Sequence, residues 1–173
     1  PVSFNESGLS QGEKHEIAGE VLSQGLRFYN GKTEEDAAKA LAYFKEADKL
    51  GHMKAARYIG LLYQEGRGVP KNDKETASWF KKGAEDGDIT SQYLLGKCYE
   101  DGTGVERDYA LALKWYRKSA ERGDIIAAPG MTGEALLLEK GLGGERNLPL
   151  ARQLFTKAAA LGYAPAKEAL AAL

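Results

Sequence analysis

Arg57-Tyr-Ile-Gly-Leu-Leu-Tyr-Gln-Glu-Gly-Arg-Gly-Val69 and Tyr93-Leu-Leu-Gly-Lys-Cys-Tyr-Glu-Asp-Gly-Thr-Gly-Val105 are two copies of one pattern. Gly60, Tyr63, Gly66, Gly68 and Val69 fall on Gly96, Tyr99, Gly102, Gly104 and Val105, always 36 residues on. The register holds beyond the quoted stretch. Trp79 meets Trp115, Phe80 meets Tyr116, Ala84 meets Ala120, Gly87 meets Gly123 and Asp88 meets Asp124. Agreement at a fixed period over a whole unit is the signature of a repeat architecture.

Two weaker copies flank this pair. Upstream, Gly25, Phe28 and Gly31 match with a step of 35, then Ala40, Tyr43, Phe44 and Gly51 with a step of 36. Downstream, Gly141, Gly143, Ala151, Leu154, Phe155, Ala159 and Gly162 match with a step of 39, so three extra residues lie within 124–135. A fifth start follows at Ala164–Leu173.

Each unit reads as two helices. Ala55, Ile59, Leu62 and Tyr63 have the i, i+3, i+4 spacing of one helical face. The Gly-x-Gly-Val turn then breaks the helix. A second helix carries Ala112, Leu113, Trp115, Tyr116 and Ala120 and ends at a glycine suited to a left-handed cap. Asp88 and Asp124 follow such glycines, where a side-chain oxygen caps the next helix. No segment alternates with period two long enough to make a strand.

The pattern resembles the Sel1-like repeat family, relatives of the tetratricopeptide repeats. Leu95-Gly96, Tyr99, Gly102, Gly104, Val105, Asp108, Ala112, Trp115-Tyr116, Ala120 and Gly123 carry the resemblance, which extends over about residues 18–166. It implies an all-α fold: a right-handed α-solenoid of four helix pairs with a C-terminal capping helix. The expected organisation is a flexible polar leader over 1–14 and one repeat domain over 15–173. Its repeats would span about 15–51, 52–87, 88–123 and 124–162, with a cap over 163–173. Pro129, Gly130 and Gly133 interrupt the fourth first helix, so it is expected to start late or to kink.

Composition removes several classes. Lys+Arg 24 against Asp+Glu 25 leaves no global basic field for nucleic acid. Cys98 is the single cysteine, which excludes an internal disulfide and a cysteine zinc cluster. No apolar run reaches the ~20 residues of a membrane span. Localisation stays open: periplasmic or secreted if an N-terminal signal has been removed, otherwise cytoplasmic.

Little in the chain suggests catalysis. The Gly-x-Gly loops follow helices and lack a Walker lysine-hydroxyl pair, so they read as turns and not as phosphate cradles. His52 stands in the slot of Asp88 and reads as a helix-start residue; His15 lies in a polar stretch beside Glu16. Cys98 falls where Leu62 and Leu137 fall and reads as a small buried hydrophobe. The aromatic stripe of Tyr43, Phe44, Trp79, Phe80, Trp115, Tyr116 and Phe155 reads as the seam between helices. No cofactor and no metal site is expected.

By the resemblance, first helices line a concave groove. Its positions here would be Leu22, Leu26, Tyr29 and Asn30 in the first unit and Lys54, Arg57, Leu61, Gln64 and Glu65 in the second. The third would supply Thr90, Tyr93, Lys97, Glu100 and Asp101, and the fourth Leu136, Glu139 and Lys140. An apolar, aromatic end would lead into a row of carboxylates, Glu65, Glu100, Asp101 and Glu139, with the cations opposite. The expected function is a non-catalytic scaffold binding a peptide or partner protein in that groove, the chain itself being a monomer. The alternatives are a cell-envelope or carbohydrate-binding module, since proteins with this repeat are often exported from bacteria, and a hydrolase using groove carboxylates.

Overall fold

A computed structural model describes residues 8–173. Among the described residues there are nine α-helices and no strand. The chain divides into two compact units, one ending at Asp86 and the other beginning at Gly87. The first holds α1 (Gln11–Tyr29), α2 (Glu34–Lys49), α3 (Ala55–Glu65) and α4 (Asp73–Glu85). The second holds α5 (Ile89–Asp101), α6 (Tyr109–Ala120), α7 (Ala128–Lys140), α8 (Leu148–Ala160) and α9 (Ala164–Ala171). Each first helix lies on its own second helix: α1 on α2, α3 on α4, α5 on α6 and α7 on α8. α9 lies against α8 as the expected cap.

The helix starts follow from caps. Thr33, Asn72, Asp108 and Asn147 each accept the backbone N–H three residues on, opening the four second helices. Ser10 and Glu13 form a reciprocal capping box that opens α1. This corrects the leader expected over 1–14: Gln11–Lys14 are the first turn of α1, and residues 1–7 lie outside the described chain.

The helix-to-helix loop is built the same way three times. Gly66, Gly102 and Gly141 take left-handed conformations as C-caps, with φ of 65°, 73° and 69°. The next N–H, from Arg67, Thr103 or Leu142, returns to the carbonyl of Leu62, Cys98 or Leu137. The second glycine of the loop has another task. A Cβ on Gly68 would stand 2.6–2.7 Å from backbone atoms of Ala37 and Ala38, because the loop rests on the start of α2. Its N–H is taken by the Glu34 carboxylate at 2.9 Å. The anion at this loop is thus the chain's own.

The fourth repeat starts late, as its proline requires. Asp124 caps a 3-10 turn over Ile125–Ala127, and α7 begins only at Ala128 with Pro129 in its first turn. That turn has three residues, which accounts for the step of 39: α7 has the same 13-residue length as α5. Gly130 and Gly133 are sites of close approach. A Cβ there would meet Ser119 at 2.7 Å and Tyr116 at 2.9 Å, so these glycines let α7 lie down on α6.

The aromatic stripe divides by position. Phe44, Phe80, Tyr116 and Phe155 are fully buried. Tyr43, Trp79 and Trp115 are half-buried. First-helix glycines sit directly on the buried rings. A Cβ on Gly60 would be 2.5 Å from Phe80, and one on Gly96 would be 2.7 Å from Tyr116. By contrast, Gly19 in α1 has nothing within 4 Å. Gly60→Ala is therefore expected to cost about 1–3 kcal/mol through overpacking. Gly19→Ala is expected to gain about 0.5–1 kcal/mol of helix propensity. Urea denaturation of the two variants should give midpoint shifts of opposite sign; equal shifts would refute this packing.

Candidate functional site

In the first unit the expected groove positions sort by burial. Leu22 is only 7% exposed and belongs to the core with Val21 and Phe44. This removes it from any open surface. Leu26 and Tyr29 are half-buried against the same core. The Tyr29 ring meets Phe44 edge-on at 5.8 Å and Tyr58 at 5.6 Å. The Arg67 guanidinium lies 5.0 Å above that ring and donates to the carbonyls of Tyr29 and Gly31. Burial, with the Glu65 charge adding to it, pushes the Tyr29 phenol up, so it stays a neutral donor at physiological pH.

The α3 positions are more open. Lys54 and Glu65 are exposed, while Arg57, Leu61 and Gln64 are half-buried. Arg57 stacks over Tyr58 at 5.3 Å. Glu65 stands 3.7 Å from Arg67. His52 does not cap α3 as Asp88 caps α5; its Nδ1 accepts the Lys54 N–H in the turn before the helix, and its ring lies parallel to that of His15 at 6.5 Å.

In the second unit, Glu100 and Asp101 close α5 and share a cleft of about 290 Å³ with Arg107 and Lys140 over a floor of Leu136, Leu137 and Leu142. Glu100 is held there by the Tyr116 hydroxyl, which donates to it at 2.7 Å. Tyr116 is itself pushed far above the usual phenol range by burial, with the Glu100 hydrogen bond and charge adding to it. Tyr93 tilts against Tyr116 at 5.8 Å. It is also hydrogen-bonded to Tyr163 at the start of α9. Burial raises the pKa of both phenols. Lys97 is exposed and acts on Tyr163 through its charge. Glu139 does not line this cleft; its carbonyl accepts from Arg146.

Two functional-looking residues escape sequence reasoning. Tyr163 occupies the cap slot of Asp88 and carries no signal of its reach to Tyr93. Glu134 stands where the repeat has Leu95, yet it is only 8% exposed. Burial raises its pKa, against the pull of Arg117, whose Nε donates to it at 3.2 Å. A carboxylate at an apolar register position was the available signal.

The raised carboxyl of Glu134 is paired with Arg117 and does not line the cleft of Glu100 and Asp101. Among the described residues no group of three or more His, Cys, Asp or Glu side chains is placed to hold a metal ion. No described helix is long and apolar enough to cross a membrane.

The Sel1 repeat model matches residues 21–52, 54–88, 89–124 and 131–163. Among solved structures, the chain is similar to c5321, a protective antigen of uropathogenic Escherichia coli with an SLR fold. Identity is 30% and the TM-score 0.77, over 90% of this chain and 34% of that one. A Sel1 repeat protein from Oxalobacter formigenes gives 27% identity and a TM-score of 0.78, over 88% of this chain and 60% of that one. The chain thus spans about a third and three-fifths of the length of these two relatives. Cysteine rich protein B of Helicobacter pylori shares the fold, at 24% identity and a TM-score of 0.61, over 81% of this chain and 98% of that one. No curated protein matches the chain.

The Glu134–Arg117 pair makes a pH-dependent prediction. A buried carboxyl with raised pKa costs the folded state more as pH rises through that pKa, and the guanidinium offsets part of this. Arg117→Ala should destabilise the chain by about 1–2 kcal/mol near neutral pH. The loss should shrink as pH falls through the acid range and Glu134 takes up a proton. A loss constant with pH in urea titrations would contradict this.

Proposed function

The chain belongs to the Sel1 repeat family, and from that premise we propose that it is a non-catalytic scaffold whose first-helix faces bind a peptide or a partner protein. Repeats of this family commonly serve as protein-interaction scaffolds and are generally non-catalytic. The observation that carries the reading is the cleft of the second unit. Glu100 and Asp101 stand beside Arg107 and Lys140 over three leucines. Charges of both signs around an apolar floor suit a peptide, whose backbone is neutral and whose side chains alternate in character.

The carboxylates give the face its preference. Glu100 is fixed by Tyr116, so it is oriented before a partner arrives, and less side-chain entropy is lost on binding. Asp101 is exposed and free to move onto a basic group. In the first unit, Lys54, Arg57 and Glu65 offer a second charged set on α3. A basic residue with an apolar neighbour would place its head on the acids and the neighbour on the leucines. The reading keeps the chain monomeric, with no cofactor.

The test is to pan a displayed random-peptide library against the folded chain. Enriched peptides are expected to pair a basic with an apolar residue. Asp101→Lys should weaken them about tenfold and reduce the salt dependence. The Asp101 side chain is exposed, and Glu100 is left in place to spare its bond to Tyr116. Unchanged affinity and salt dependence in the reversed variant would reject the proposal.

A further inference from the structure

The two central second helices, α4 and α6, occupy equivalent repeat positions but differ in how their outer polar groups are satisfied. On α4 the groups at the positions equivalent to Trp115, Arg117 and Lys118 are all paired. The Trp79 indole N–H donates to Glu75 at 3.0 Å. Lys81 pairs with Glu85, and Lys82 pairs with Asp48. On α6 the same register reads differently. Glu75 is replaced by Leu111, so the Trp115 N–H has no acceptor among the described residues. Lys114 replaces Ser78 and lies over the Trp115 ring at 5.7 Å, and Lys118 replaces Lys82. Neither lysine has an ion pair among the described residues. Arg117 replaces Lys81 but turns to Glu134 with one nitrogen, while its side chain stays 52% exposed.

These groups border a trough of about 480 Å³ with Leu113 and Trp115 in its lining and Gly143 at its edge. It runs along the helix from Ala110 to Glu121. At 1.5 Å per residue that is roughly 16 Å, the reach of about five extended residues. Glu121 offsets part of the charge, and the rim keeps a positive excess. An apolar floor, two unpaired ammonium groups and one unmet indole donor together fit carboxylates carried on an apolar segment.

We propose that this outer face of α6 is a second docking site, taking a short acidic and apolar segment of a partner protein. Its lining shares no residue with the first-helix cleft, and it does not depend on that reading. The apolar side chain enters the trough beside Trp115, and flanking carboxylates meet Lys114, Lys118 and the indole N–H. The Glu134 pairing keeps Arg117 directed along the wall.

The site carries its own reporter, because the chain has two tryptophans. In a Trp79→Phe background, emission comes from Trp115 alone. The probe is the peptide acetyl-Glu-Leu-Asp-Leu-Glu-amide, with acetyl-Gln-Leu-Asn-Leu-Gln-amide as its uncharged counterpart. The acidic peptide should shift the emission saturably, and rising salt should weaken it. Lys114→Glu with Lys118→Glu should weaken binding about tenfold or more, and Lys114→Gln with Lys118→Gln by less. Both lysines are exposed, and circular dichroism checks that the variants fold. The proposal is overturned by equal binding of the uncharged peptide, by unchanged affinity in both lysine variants, or by no saturable shift at millimolar peptide.

Discussion

The helix pairs depend on a close approach between a first-helix glycine and a second-helix ring. Gly25 sits on Phe44, Gly60 on Phe80 and Gly96 on Tyr116, each with a Cβ-to-ring distance that no real side chain tolerates. The contact does two things at once. It lets the two backbones approach, and it buries an aromatic ring completely, which is the largest single apolar contribution available to a helix pair this short. In the fourth pair Ala135 holds the position facing Phe155, and both are fully buried. One methyl is accommodated there because the α7 backbone is set by other contacts, those of Gly130 and Gly133 on α6. The spacing of the pairs is therefore fixed from either side of a first helix.

The loops add a second constraint of the same kind. Gly68 lies against the α2 backbone, and Gly143 meets the α6 backbone at Tyr109 and Ala110. A side chain at either position would push the loop off the preceding helix. These contacts are made by backbone and so depend on residue type at very few places. That explains why 21 glycines, an excess over the roughly 7% of an average protein, go with an ordered and not a loose chain.

The same physics sets what a sequence can disclose. Positions that repeat are those where geometry admits one residue type, so Gly60, Gly66, Phe80 and their copies are legible at once. The caps are legible for the same reason, since only a short polar side chain reaches the N–H three residues on. Gly130 and Gly133 lie outside the register and read as an irregularity, although they do the work of the repeat glycines on a different neighbour. Leu22 follows the groove spacing, yet the core claims it. Tyr163 and Glu134 are legible only as departures. A cap slot filled by tyrosine and a leucine slot filled by glutamate give no partner until the chain brings Tyr93 and Arg117 beside them.

Departures are where recognition has to be sought in a molecule of this kind. A residue that the fold requires in every repeat is explained by the fold and carries no information about a ligand. The exposed groups are chosen separately in each repeat, and equivalent helices supply the control. α4 and α6 share their buried residues, Phe80 with Tyr116 and Ala77 with Leu113, so packing demands much the same of both. Their outer faces differ in charge pairing, and packing does not ask for that difference. On α4 the acids Glu75, Glu85 and Asp48 close the donors of Trp79, Lys81 and Lys82; on α6 two lysines and an indole stay open. Leaving donors open on a half-apolar trough gains nothing for the fold, since a paired version stands two helices earlier in the same chain. The economical account of the difference is a partner that brings the missing carboxylates.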